Sequence, residues 1–74
     1  MRMRLYIKLQ FSSEGKNPLE VVKMVQSLGF TPEVGDYDFS IPFRTPEQYA
    51  QILDDLKTKL KGTEVLFTLT TKER

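Results

Sequence analysis

Arg2, Arg4, Tyr6 and Lys8 stand at every second position near the start of the chain. Cations and an aromatic ring at that spacing can hold phosphates and stack a base, the chemistry of a single-stranded nucleic-acid binder. On a solvated strand the same row would do no more than pair Arg4 or Lys8 with Asp38, an exposed contact worth under about 1 kcal/mol. Ser12, Ser13, Gly15, Lys16 and Asn17 precede a helix start, where free N–H groups and the helix dipole favour an anion or a small anionic ligand. Gln10 stands where a Walker pattern would need its upstream glycine, so no nucleotide-phosphate loop is expected there. Glu33, Asp36 and Asp38 gather carboxylates near a turn and could offer oxygen ligands to a hard cation. Asp at a turn is ordinary turn chemistry, however, and the spacing is not that of a calcium loop, so no metal is expected.

Composition removes most other chemistry. The 74 residues contain no Cys, His or Trp, which excludes disulfide scaffolds, thiol redox chemistry, thiolate or imidazole metal sites, and Ser-His or Cys-His nucleophiles. Acid–base catalysis would rest on carboxylates, Lys or Tyr, and no convergent pair of these is visible. The chain is therefore expected not to be an enzyme and to carry no cofactor. With 39% apolar and 28% charged residues it reads as one small globular domain spanning residues 1–74. No apolar run approaches the ~18–20 residues of a membrane span, and residues 5–11 alternate in a way no signal-peptide core does. No membrane association is expected, and the default location is the cytoplasm.

The elements that must position these residues follow from periodicity. Met3, Leu5, Ile7, Leu9 and Phe11 alternate with Arg2, Arg4, Tyr6, Lys8 and Gln10, which predicts a strand with one buried face. Asn17-Pro18-Leu19-Glu20 starts a helix with a cap, a proline at the first position and an acid for a capping box. Val21, Met24, Val25 and Leu28 give that helix an apolar stripe, and Gly29 stops it. Residues 30–34 and 37–43 read as a hairpin turning at Gly35-Asp36, with Pro32 marking the first arm as an edge strand. In the second arm Tyr37, Phe39, Ile41 and Phe43 alternate with Asp38, Ser40 and Pro42. Thr45-Pro46-Glu47-Gln48 opens a second helix with the stripe Tyr49, Ile52, Leu53, Leu56 and Leu60, ended by Gly62. On that helix Asp55 and Lys59 are spaced for an ion pair. Residues 63–71 form a last strand, with Leu66, Thr68 and Thr70 outward and the tail from Lys72 frayed.

Strand, helix, two strands, helix, strand is an order that resembles the ferredoxin-like βαββαβ sandwich. That resemblance implies an α+β two-layer domain: a four-stranded antiparallel sheet in the order 4-1-3-2 with both helices on one face. A three-stranded βαβαβ sheet is the alternative if residues 30–34 do not pair. The RNA-recognition motif shares the element order but would place aromatics on both central strands, where this sequence offers Asp38 and Ser40 on the third. In the ACT small-molecule-binding family the first loop typically reads Asp-x-Pro-Gly; Ser13-Glu14-Gly15 is similar only in its glycine. Gly15, Lys16 and Asn17 resemble the anion cradle of acylphosphatases faintly, and the loop arginine of that family is missing.

Charge is distributed unevenly despite a net of +1. Arg2, Arg4, Lys8 and Lys16 make the first segment basic; seven acids against Lys23 and Arg44 make residues 17–55 acidic; Lys57, Lys59, Lys61, Lys72 and Arg74 make the last segment basic again. In the 4-1-3-2 order the open sheet face would be basic on one side and acidic on the other. The last strand would also lie at a sheet edge, long and β-prone, with little to blunt it. The expected function is thus a stand-alone binding domain acting by protein association, as a homodimer or with a partner, through the open face or the edge at Leu66, Thr68 and Thr70. The alternatives are a weak nucleic-acid binder using Arg2, Arg4, Tyr6 and Lys8, and an anion-binding or small-molecule regulatory module using Ser13, Gly15, Lys16 and Asn17.

Overall fold

The computed structural model describes residues 3–15 and 17–73; Arg2, Lys16 and Arg74 therefore lie outside the described residues. Strict alternation along the first strand places Leu5, Ile7 and Leu9 on one side, all buried, and makes β1 (Met3–Gln10) the centre of the sheet. The chain then passes through α1 (Pro18–Ser27), β2 (Thr31–Pro32), β3 (Phe39–Phe43), α2 (Pro46–Leu60) and β4 (Leu66–Glu73). The sheet order is β2-β3-β1-β4, the expected 4-1-3-2 read from the opposite edge, and every neighbouring pair is antiparallel. β1 meets β3 from Met3↔Phe43 to Ile7↔Phe39, and it meets β4 along its whole length, from Met3↔Glu73 to Gln10↔Leu66.

Both helices start as their sequences dictate. Asn17 Oδ1 accepts from the Leu19 amide, and Thr45 Oγ1 accepts from the Gln48 amide, while Pro18 and Pro46 occupy first-turn positions that need no N–H donor. Val21 and Val25 of α1 and Leu56 and Leu60 of α2 then pack on Leu5, Ile7, Leu9, Phe30 and Phe39 in a single core. Burying each of these side chains contributes roughly 1.5–3 kcal/mol, enough for a small domain to hold two helices on one sheet face. No helix among the described residues is long and apolar enough to cross a membrane.

Four local expectations change. The strand expected over residues 30–34 is shortened to Thr31 and Pro32, followed by one further backbone bond from the Glu33 amide to the Asp38 carbonyl, and it ends where Val34 swings into solvent. Tyr37 does not continue the inward row of Phe39, Ile41 and Phe43, because regular pairing stops at Asp38. The tail expected to fray stays in the ladder, with Lys72 opposite Arg4 and Glu73 opposite Met3. Asp55 accepts from the Gln51 side-chain amide at 2.9 Å, in place of the expected pairing with Lys59.

Candidate functional site

The face of the sheet away from the helices carries the even-numbered residues of β1, and it is more occupied than its sequence indicates. Arg4 Nε donates to Ser40 Oγ at 2.9 Å, Arg4 Nη2 reaches Thr31 Oγ1 at 3.3 Å, and Ser40 Oγ donates to Glu33 Oε2 at 2.6 Å. Arg4 Nε lies 3.9 Å from the same Glu33 oxygen, so β1, β2 and β3 are tied by one polar network around a fully buried hydroxyl. Asp38 does not pair with Arg4 or Lys8. Its Oδ2 accepts from the Leu9 amide at 2.7 Å, its amide donates to the Ile7 carbonyl, and its carbonyl accepts from the Glu33 amide. The carboxylate takes the place of the next rung of the β1–β3 ladder.

Because the strand is interrupted there, Tyr37 turns to the open side and meets Tyr6, with ring centroids 5.2 Å apart and planes at 45°. Lys72 completes this cluster from β4: its Nζ is 5.3 Å from the Tyr6 centroid and 5.0 Å from the Tyr37 centroid. Tyr6 retains only 9% of its exposure beneath this cover. Of the basic row, then, Arg4 is engaged, Tyr6 is covered and Lys8 projects into solvent. Sequence reasoning missed Tyr37 and Lys72; strand alternation argued against the first, and expected fraying removed the second. Lys8, Leu9, Gln10, Leu66, Phe67 and Thr68 line a cleft of about 530 Å³ at the end of the β1–β4 ladder. Among the described residues no cluster of acids could hold a metal ion, so Glu33, Asp36 and Asp38 do not converge on one.

Ser12, Gly15 and Asn17 of the loop before α1 have structural duties. Ser12 accepts from the Gly15 amide through its carbonyl and from the Glu14 amide through its hydroxyl. Ser13 is exposed, and Asn17 is committed to the helix cap. A Cβ on Gly15 would fall 2.5 Å from the Thr63 carbonyl oxygen, so glycine is required for this loop to pass the α2–β4 connection.

The β4 edge is open. Ile7 accepts from Asp38 and Leu9 donates to it, so the odd-numbered residues of β1 direct their backbone toward β3. Alternation then turns the even residues of β1 toward β4 and the odd residues of β4, namely Phe67, Leu69, Thr71 and Glu73, away from the sheet. At one end of this edge Leu66 is 67% exposed.

No family model matches the chain, and no curated protein does. Two solved structures share its fold. One is a Thermotoga maritima protein provisionally described as acting in thiamine biosynthesis or salvage, with 15% identity and a TM-score of 0.63 over 100% of this chain and 85% of that one. The other is a domain of unknown function, DUF77, from Bacillus cereus, with 15% identity and a TM-score of 0.60 over 99% of this chain and 76% of that one. At such identity the likeness supports the small α+β sandwich alone.

Proposed function

We propose that this domain acts by protein association rather than catalysis, and that β4 recruits a second copy of the chain. The observation that carries this is the asymmetry of the two sheet edges. β2 exposes two residues, one of them proline, whereas β4 presents eight residues with the backbone groups of Phe67, Leu69, Thr71 and Glu73 pointing outward. Unblunted edges of that length are templates for pairing.

A two-fold axis through Thr70 suits a second copy. It sets Thr70 against Thr70, Leu69 against Thr71, Thr68 against Lys72, and Phe67 against Glu73, with no like charges opposed. Such an axis keeps both pairs of helices on the same side of an eight-stranded sheet.

The absence of native cysteine makes the test direct. Thr70 would form a non-hydrogen-bonded pair across the axis, with Cα atoms about 4.5 Å apart, a separation that a disulfide can bridge. Thr70→Cys is expected to give a covalent dimer on mild oxidation, while Thr31→Cys on the other edge does not. Thr71→Pro removes an outward N–H without touching the β1 ladder and is expected to shift sedimentation toward monomer. A wild-type chain that stays monomeric at high concentration refutes the reading; cross-linking to a different protein instead would redirect it to a hetero-partner.

A further inference from the structure

We propose that the notch between the Tyr6 and Tyr37 rings is a binding site for a small organic cation carrying a methylated, quaternary nitrogen, and that Lys72 is its resident stand-in. The two centroids and the Lys72 nitrogen form a nearly equilateral triangle, with sides of 5.0, 5.2 and 5.3 Å. Two ring faces thus address a single positive charge, the arrangement by which aromatic side chains recognise quaternary ammonium groups. The rings are tilted at 45° to each other, neither stacked nor perpendicular.

Charge around the notch is mixed: Arg4 and Lys8 flank Tyr6 on the open face of β1, and the acids lie on the Tyr37 side. Tyr37 belongs to a segment, residues 30–43, that contains Glu33, Asp36 and Asp38 and no Lys or Arg. Glu33 and Asp38 are already hydrogen-bonded within the chain, so they supply a field rather than a direct ligand. The stand-in is poorly matched to its place. Lys72 sits directly opposite Arg4, and like charges in that relationship repel. A primary ammonium is also strongly hydrated, whereas a methylated nitrogen spreads the same charge over an apolar shell that rings can cover without stripping water. Lys72 is exposed and reaches the rings on a flexible stem, so it can leave without disturbing the core. The site does not require β4 pairing, since Tyr6, Tyr37 and Lys72 all belong to one copy of the chain.

The test is a titration of the wild-type chain with tetramethylammonium chloride, against sodium chloride at matched ionic strength, followed by NMR. With Lys72 Nζ 5.3 and 5.0 Å from the two centroids, ring currents from Tyr6 and Tyr37 are expected to displace the Lys72 side-chain resonances in the free protein. The expected result is that these resonances return saturably to solvent values while the Tyr6 and Tyr37 ring signals shift and those of Tyr49 do not. Lys72→Ala empties the notch and is expected to lower the half-saturating concentration at least about tenfold, the factor equivalent to 1.4 kcal/mol. Tyr37→Leu is expected to abolish the response in either background. Non-saturating shifts, shifts that survive Tyr37→Leu, or a Lys72 signal unmoved by the probe overturn the proposal. So does a ring response to single-stranded RNA at physiological salt with none to tetramethylammonium, which would make this face a nucleic-acid interface.

Discussion

Arg4 Nε lies 2.9 Å from the hydroxyl of Ser40, a group 36 positions away with no exposed surface. Ser40 is thereby acceptor to a guanidinium and donor to the Glu33 carboxylate, and it joins the short β2 to the centre of the sheet. Ser40→Ala strands the half-buried Arg4 and Glu33 groups, a loss of about 1–3 kcal/mol. Urea unfolding is expected to show this as a lower midpoint with unchanged slope, and exchange of the amides around Thr31 should accelerate.

Asp38 substitutes a carboxylate for a ladder carbonyl at the Leu9 amide. Asp38→Ala is expected to cost about 1.5–3 kcal/mol, the range for a hydrogen bond to a charged group. Asp38→Asn keeps an oxygen acceptor and should recover most of that loss. Hydrogen exchange at Leu9 distinguishes the two variants, fast in the first and slowed in the second.

Gly15 is held by the close approach of the α2–β4 connection. Gly15→Ala drives a methyl group against the Thr63 carbonyl, and overpacking of this kind costs about 1–3 kcal/mol. In a domain of this length the melting temperature is expected to fall by at least about 4 °C. An unchanged melting curve would show that the α2–β4 connection yields freely.

At the start of α2, Thr45 Oγ1 accepts from the Gln48 amide while Gln48 Oε1 accepts from the Arg44 amide at 2.6 Å. Thr45→Ala leaves a first-turn donor without its partner and is expected to lower stability by about 1 kcal/mol. Thermal unfolding monitored by circular dichroism measures it, and Thr45→Ser should restore the loss.

Periodicity made the architecture legible because the core is simple. Leu5, Ile7 and Leu9 alternate without exception, and Asn17-Pro18 and Thr45-Pro46 carry helix starts that need no tertiary help. The open face was legible only as a row of residue types. Alternation assigns a side from position, and at Asp38 position ceases to decide: a side chain enters the ladder, and Tyr37 comes out on the opposite side from the one its spacing gives. Lys72 was hidden for a different reason. Local sequence marks a polar tail near a terminus, but Lys72 and Glu73 pair with Arg4 and Met3, partners more than fifty residues away in the chain.

The two-residue β2 with its proline has a consequence for growth as well as for pairing. A particle with two receptive edges can add neighbours without limit; a particle with one can be completed but not extended. If two copies join through β4 as proposed, each consumes the other's receptive edge, and a third finds nothing to continue. Pro32, far from the contact itself, would therefore set the size at which assembly stops.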